Sequence, residues 1–173
     1  MKNLEKNKLE TLLQIMGSNP SLRISHFTDN GTQLVEAIHN YCLPKEYQYQ
    51  VNCIEHDFYN TLVKEYENAK LTKVKEFPLQ RRSYMTQGKQ YDFMFVSANI
   101  DLSSRDDFLK KAHGIILNAG NIIIFVEKNN YDERYKWVEL LEETYFVATN
   151  TIDDLFENYD IVISKKMHGW GDR

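Results

Sequence analysis

The amino-acid sequence predicts an α/β protein built on a wound sheet that is mostly parallel and ends in an antiparallel strand. Short apolar strand-like stretches alternate along the chain with amphipathic helical patterns, which is typical of parallel βαβ units. Residues 93–96 and 122–126 are apolar throughout, as expected for central strands that are covered on both faces. Only residues 153–159 separate the last two strand-like stretches. Because a parallel crossover needs about a dozen residues, the final strand is expected to return antiparallel.

The first half of the chain predicts three helices and three strands. Apolar residues at positions 9, 12, 13 and 16 follow a helical spacing, which places an N-terminal helix within residues 1–18. The strands are short apolar or β-branched stretches: residues 22–24, 50–54 and 71–77. The other two helices carry apolar residues three and four positions apart: Leu34, Val35 and Ile38 in one, and Phe58, Leu62 and Tyr66 in the other. A polar turn over residues 25–31 is predicted to follow the first strand.

The second half of the chain predicts two helices and four strands. The strands are the two central stretches and two later ones: residues 93–96, 122–126, 145–149 and 161–164. The helices again show apolar residues at helical spacing: Phe108, Leu109 and Ala112 in one, and Trp137, Leu140 and Leu141 in the other. A turn over residues 118–121 is predicted before the second central strand.

The composition predicts one domain over residues 1–173, with the N-terminal helix in residues 1–18 and a C-terminal tail in residues 165–173. A hydrophobic content of 42% suffices for a core, and the net charge of -4 disfavours nucleic-acid binding. No apolar run approaches the roughly 20 residues that span a bilayer, and the start lacks the apolar stretch of a secretion signal. We therefore expect a cytoplasmic protein that binds no membrane.

Three stretches resemble the class I S-adenosylmethionine-dependent methyltransferases, whose Rossmann-like wound sheet also ends in an antiparallel strand. YDFMFV (residues 91–96) is similar to the fourth strand of that family. LNAGNIIIFVEK (residues 117–128) is similar to its turn and fifth strand, and NYDIVISKK (residues 158–166) to its returning strand. The resemblance implies the fold of that family and S-adenosylmethionine, or a related nucleoside, as the ligand.

The sequence also departs from the pattern of that family. The family has a glycine-rich turn after its first strand, whereas residues 25–31 contain one glycine, Gly31, and are predicted to place the bulk of His26 and Phe27 in that turn. The small cation-dependent O-methyltransferases of the family carry Asp-Ala-Asp where residues 97–99 read Ser-Ala-Asn. Because Mg²⁺ prefers anionic oxygen ligands, no metal site is predicted there. The five histidines show no metal-ligand spacing either.

Candidate binding residues follow from the rule that ligands of wound sheets lie at the carboxyl ends of the parallel strands. Together with the resemblance, that rule predicts seven cofactor-binding residues: Ser25, His26, Asn30, Gly31, Glu55, Ser97 and Asn99. Glu55 is predicted to hold the ribose, with Asp57 as a second candidate. Arg81 and Arg82, in a loop over residues 79–89, are the candidate substrate-binding residues because guanidinium groups suit phosphate or a base. The alternative for that loop is a solvated surface, and no catalytic residue is identified.

Two functions remain open from the sequence. One is a methyltransferase-like domain that binds S-adenosylmethionine or a related nucleoside-type ligand. The alternative is a non-catalytic protein of that fold that acts through a protein partner or as a homo-oligomer, and it predicts a blocked pocket and an apolar surface patch. Trp170, in the tail, is expected to dock on its own domain or on another subunit. A flavodoxin-like or receiver-like domain is disfavoured because no acidic pair follows the first strand.

Overall fold

A computed structural model describes residues 1–167 and Gly169 of the chain. Within these residues lie seven strands: β1 (Arg23–Thr28), β2 (Gln48–Cys53), β3 (Thr72–Glu76), β4 (Tyr91–Val96), β5 (Ile116–Glu127), β6 (Val147–Ile152) and β7 (Tyr159–Lys165). The α-helices of the same residues are α1 (Lys6–Leu13), α2 (Thr32–Cys42), α3 (His56–Glu65), α4 (Arg105–Ile115) and α5 (Tyr131–Glu143). Short 3₁₀ turns occur at Gln14–Met16, Leu43–Lys45 and Leu102–Ser104.

The strands form one sheet in the order β3-β2-β1-β4-β5-β7-β6. The neighbours from β3 to β5 pair in parallel. β7 inserts between β5 and β6 and runs antiparallel to both. The predicted fold class, a wound α/β sheet that is mostly parallel and has a late antiparallel strand, is therefore confirmed. The short connection between β6 and β7 allows no other direction.

Each face of the sheet is covered by its own set of helices because side chains alternate along every strand. On one face, Ile24, Val51 and Ile123 join a buried cluster with Leu34 of α2 and Leu62 of α3. On the other face, strand residues pack with α4 and α5 in a second buried cluster that includes Phe27, Met94, Ile124, Phe108 and Trp137. None of the helices in the described part of the chain has the length and apolar character that a bilayer crossing requires.

The connection from β3 to β4 forms no helix in its described residues 77–90, and Tyr84 covers the second face there instead. The Tyr84 ring is buried, with its centroid 5.4 Å from that of Phe27 and 5.2 Å from that of Phe77. Tyr84 Oη donates a hydrogen bond to the carbonyl oxygen of Leu79 at 2.9 Å. These contacts hold the loop that contains Arg81 and Arg82 against the edge of the sheet.

β1 is longer than predicted. The prediction of a turn over residues 25–31 is wrong for residues 25–28, which belong to the strand. The strand continues to Thr28, so His26 and Phe27 are fully buried in the sheet and add no bulk to the turn. The polar side chains of Ser25 and Thr28 are tolerated in the strand because each has a hydrogen-bond partner. Asn52 Nδ2, on β2, donates to Ser25 Oγ at 3.0 Å, and Thr28 Oγ1 donates to the Asn30 carbonyl at 2.9 Å.

The turn predicted over residues 118–121 lies inside β5, which begins at Ile116. Tyr91 of β4 pairs with Ile116 but Phe93 pairs with Asn121, so the intervening residues loop out of the strand. Gly120 is needed at this point because a Cβ there would lie 2.7 Å from Ile116 Cγ2 and 2.9 Å from the Asp92 carbonyl oxygen. At the other end of the chain, Trp170 lies outside the described residues, so its predicted docking stays a prediction.

Candidate functional site

A cavity of about 480 Å³ opens at the carboxyl edge of the sheet, above β1, β4 and β5. The sheet order reverses between β1 and β4, and such a switch point is where ligands bind in open α/β sheets. The lining residues come from the turns after β1 and β4, the end of β5, the starts of α4 and β7, α5 and the N-terminal segment: Met1, Asp29, Asn30, Ser97, Ala98, Asn99, Ile100, Arg105, Phe125, Val126, Glu127, Asn130, Glu133, Trp137 and Tyr159.

Hydrogen bonds between the ends of β1 and β4 fix the floor of the cavity. The backbone N–H groups of Ser97 and Ala98 both donate to the Phe27 carbonyl, at 3.0 and 3.2 Å. The backbone N–H of Asn99 donates to Asp29 Oδ2 at 2.8 Å. The two strand ends are thus tied together, and the Ser97 and Asn99 side chains are presented to the cavity from a fixed turn.

His26 lies beneath this floor and links Ser97 to β2. Its Nε2 is 2.8 Å from Ser97 Oγ, and its Nδ1 is 2.7 Å from the Tyr49 hydroxyl oxygen. His26 and Tyr49 are both fully buried. Burial lowers the pKa of the His26 imidazole to about 3, because the protonated ring would lose its hydration. At neutral pH the ring is uncharged, so it has one donor nitrogen and one acceptor nitrogen.

Arg105, the first residue of α4, is a buried cation in the cavity wall with 4% of its surface exposed. Its Nε donates to the Ile100 carbonyl at 2.9 Å, its Nη2 bonds to the Glu133 carboxylate, and its Cζ lies 4.6 Å from the centre of the Trp137 ring. Nη1 is buried and has no hydrogen-bond partner among the described residues. A buried guanidinium N–H without an acceptor is costly, so it is a candidate contact for a ligand.

The cavity lining combines negative charge with aromatic surface. Its described side chains include three carboxylates, those of Asp29, Glu127 and Glu133, against one guanidinium, that of Arg105. Phe125, Trp137 and Tyr159 supply the aromatic surface. Because these side chains carry three carboxylates and one guanidinium, the site favours a cationic or neutral ligand over an anionic one.

Residues 1–5 cross the carboxyl edge of the sheet, and we call them the strap. The Met1 backbone nitrogen donates to Asn30 Oδ1, and the Gln33 side chain bonds to both the N–H and the carbonyl of Leu4. The Lys2 N–H donates to Tyr159 Oη at 2.6 Å. The strap therefore joins the turn after β1 to the start of β7 and closes one side of the cavity.

The strap covers Gly31, which the sequence predicts as a cofactor contact. A Cβ on Gly31 would lie 2.8 Å from Met1 Cβ and 2.9 Å from Met1 Sδ. We expect Gly31→Ala to lower the free energy of unfolding by about 2 kcal/mol, of which about 1 kcal/mol reflects the left-handed backbone at φ +90. Urea unfolding measures the effect. Gly88→Ala is the matched control, because Gly88 also has a positive φ, +67, but nothing lies within 4 Å of a Cβ there. Equal losses in the two variants would contradict the packing of Met1 on Gly31.

The structure brings together only part of the predicted binding set. Asn30, Ser97 and Asn99 all line the cavity. Ser25 and His26 are buried within β1 beneath it, and Gly31 lies under the strap. Glu55 is exposed at the start of α3, and Arg81 and Arg82 are exposed in the loop after β3; none of these three is among the lining residues.

Most of the opposite wall of the cavity was not predicted from the sequence. Arg105 begins a charged run, Arg-Asp-Asp, that is typical of a solvated helix start, and nothing local indicates its burial. The position of Asn130 could have been predicted, because Asn followed three positions later by Glu is a pattern typical of a helix N-terminus. Asn130 Oδ1 does accept a hydrogen bond from the Glu133 N–H at 3.3 Å, which starts α5 at the cavity. Among the described residues, no group of three or more His, Cys, Asp and Glu side chains is placed to hold a metal ion.

Comparison with known proteins identifies the fold. No protein-family model matches the chain, and no curated protein matches it by sequence. Among solved structures, the CurJ carbon methyltransferase superposes with a TM-score of 0.72 at 12% identity over 94% of this chain, and this chain covers about half, 54%, of CurJ. A TehB-like SAM-dependent methyltransferase from Corynebacterium glutamicum gives 0.70 at 10% identity, covering 92% of this chain and 87% of that one.

The N-methyltransferase NodS from Bradyrhizobium japonicum, solved in complex with S-adenosyl-L-homocysteine, gives a TM-score of 0.68 at 9% identity. The superposition covers 94% of this chain and 87% of NodS. The strand order and the antiparallel β7, together with these superpositions, show that the chain has the class I S-adenosylmethionine-dependent methyltransferase fold. At these identities the likeness concerns the fold alone.

Proposed function

We propose that this chain binds S-adenosylmethionine, or a related nucleoside-type ligand, in the cavity at the carboxyl edge of its sheet. The observation that carries the proposal is the position of the cavity, at the switch point between β1 and β4 in a methyltransferase fold. Its volume of about 480 Å³ lies within the range of small-molecule sites. NodS, which has this fold, was solved with S-adenosyl-L-homocysteine.

The charge of the lining supports a cationic ligand of this class. S-adenosylmethionine carries a positive sulfonium, and the Asp29 carboxylate in the lining attracts such a centre, whereas Glu127 already pairs with Lys2 at 3.7 Å. Phe125 offers apolar surface against which a purine could pack, whereas the Trp137 ring is 3% exposed and lies against Arg105. The cofactor would supply an activated methyl group. The role of the protein would be to bind the cofactor, to orient it and to exclude water from the site.

Within this proposal, Asn30, Ser97 and Asn99 contact the ligand directly. Glu55 holds a ribose only if the ligand extends past Gly31 towards β2, which requires the strap to move. Ser25 and His26 act from beneath the floor and touch no ligand. Arg81 and Arg82 remain a proposed substrate contact for a molecule that reaches across to the loop after β3.

Calorimetric titration with S-adenosylmethionine and S-adenosylhomocysteine tests the proposal. We expect micromolar binding, and we expect Asn99→Ala to weaken it about fivefold through the loss of one hydrogen bond. Asn60→Ala, on the exposed surface of α3, is the matched control and should bind like the wild type. Glu55→Ala reports on the ribose, and an unchanged affinity would remove Glu55 from the site. An Asn99→Ala protein that binds as tightly as the wild type would place the ligand outside the cavity.

The second candidate is a non-catalytic protein of this fold that acts through a protein partner or as a homo-oligomer. Three observations favour it. The strap covers Gly31, and Glu55 does not line the cavity. Tyr131 and Tyr135 lie one turn apart on α5 and are 63% and 66% exposed, as tyrosines at a protein interface would be. The absence of any binding up to millimolar S-adenosylmethionine would select this function over the first.

A further inference from the structure

The buried chain Tyr49–His26–Ser97 has a defined direction of hydrogen bonding. Tyr49 is fully buried, and His26 Nδ1 is the hydrogen-bond partner of its hydroxyl among the described residues. A buried phenol O–H without an acceptor is costly, so Tyr49 donates its proton to Nδ1. A neutral imidazole that accepts at Nδ1 carries its own proton on Nε2. The N–H at Nε2 therefore donates to Ser97 Oγ, 2.8 Å away.

This direction leaves the Ser97 hydroxyl proton free for a ligand. Ser97 Oγ already accepts from His26, and no other partner bonds to it among the described residues. Ser97 lines the cavity, so its O–H is available to an acceptor placed there. Because burial holds the pKa of His26 at about 3, the ring stays neutral and this orientation does not change near neutral pH.

Arg105 supplies a second donor to the same cavity. Its Nε and Nη2 are held by Ile100 and Glu133, whereas Nη1 is buried without a partner among the described residues. The Glu133 carboxylate neutralises the guanidinium, Lys2 pairs with Glu127, and Asp29 adds a further negative charge to the lining. A neutral acceptor oxygen therefore suits these two donors better than an anion does.

We propose that Ser97 and Arg105 form a donor subsite that binds the carbonyl oxygen of a neutral acyl ligand, an amide or an ester. Tyr49 and His26 are positioning residues for Ser97, because they act only through its hydroxyl. That the acyl compound is the methyl-accepting substrate rests on the proposed function. The binding of its carbonyl does not, because it can be measured in the absence of any nucleoside.

The experiment is an NMR titration of the full chain, labelled with ¹⁵N, with benzamide as the neutral carbonyl probe and benzoate as its anionic counterpart. We expect benzamide to shift the amide signals of Ser97 and Asn99 and the side-chain signals of Arg105. We expect it to bind at least about fivefold more tightly than benzoate, and Ser97→Ala to weaken it about fivefold. Lack of a shift at about 20 mM benzamide, or tighter binding of benzoate, would overturn the subsite.

Tyr49→Phe tests the positioning role separately. Without the phenol, neither tautomer has a partner at Nδ1, so the imidazole proton is no longer fixed on Nε2, and in the other tautomer Ser97 donates to Nε2 rather than to the ligand. We expect the two His26 ¹⁵N resonances to move towards each other, as a mixture of tautomers requires, and the benzamide affinity to fall about twofold because about half of the protein keeps the donating Ser97. Tyr47→Phe is the control, since Tyr47 is also buried and loses one hydroxyl bond, to the Asn19 carbonyl, away from the cavity. A wild-type His26 protonated on Nδ1 would overturn the orientation.

These results are separable from those of the nucleoside titration. Benzamide binding without S-adenosylmethionine binding would support the subsite while rejecting the proposed function. S-adenosylmethionine binding without benzamide binding would reject the subsite and leave the proposed function in place.

Discussion

Lowering the pH from 7 to 4 is expected to cost the wild-type protein about 3 kcal/mol of folding free energy through His26 alone. The cause is the burial that lowers the pKa of this imidazole from 6.5 to about 3 in the folded state. Tyr49 and Ser97 bond to its two nitrogens, and neither offers a charge that would stabilise an imidazolium. The folded protein therefore keeps the ring neutral at a pH where the unfolded chain is protonated.

The direction of this pH dependence follows from which state, folded or unfolded, binds the proton at the higher pH. As the pH falls below 6.5, the unfolded chain takes up a proton at His26 that the folded protein refuses until about pH 3. Stability is therefore fully present above pH 6.5 and declines as the pH falls towards 3, by up to about 1.4 kcal/mol per pH unit.

Comparison of the wild type with His26→Gln isolates this contribution from that of the carboxylates. Glutamine retains a donor and an acceptor but does not titrate, so the variant should be less stable at pH 7 and lose about 3 kcal/mol less on acidification. Urea unfolding at pH 7, 6, 5 and 4 measures both slopes. Parallel curves for the wild type and His26→Gln would contradict the burial of a neutral imidazole.

His26 also shows why the sequence predicted the architecture better than the first turn. The antiparallel β7 follows from a local constraint, because residues 153–159 are too few for a crossover. The pattern Ser25-His26-Phe27-Thr28 is polar and looked like a turn. It forms a strand because Tyr49 and Asn52, more than twenty residues away, bond to its side chains. Local periodicity carries no information about such partners.

The same distinction applies to the cavity. Asn30, Ser97 and Asn99 could be predicted because they follow parallel strands, whose carboxyl ends meet at one edge. Gly31 follows the same rule but is covered by Met1, a contact across thirty positions that no motif encodes. The burial of Arg105 also depends on residues that are distant in the sequence. Its loss is expected to change the stability of the protein more than the loss of the contact at Gly31.

Arg105→Met is expected to lower the free energy of unfolding by about 3 kcal/mol, because it leaves the Glu133 carboxylate without its partner in a wall from which water is largely excluded. The side chain of Arg105 is 5% exposed and that of Glu133 is 29% exposed, so the figure lies at the lower end for a broken buried pair. Urea unfolding measures the loss. Lys110→Met breaks an exposed pair with Asp106 on the same helix and should cost far less stability, because water screens that pair.

Removing both charges should reverse most of the loss. In the double variant Arg105→Met/Glu133→Gln no unpaired carboxylate remains, the Met side chain can pack on Trp137, and the orphaned Nη1 is gone. We expect its stability to lie within about 1 kcal/mol of the wild type, since buried ion pairs are often replaced without loss. A double variant as unstable as Arg105→Met would show that the guanidinium stabilises the wall by packing rather than by charge. A stable double variant that no longer binds benzamide would show that Arg105 is present for its ligand, because the fold then does not require it.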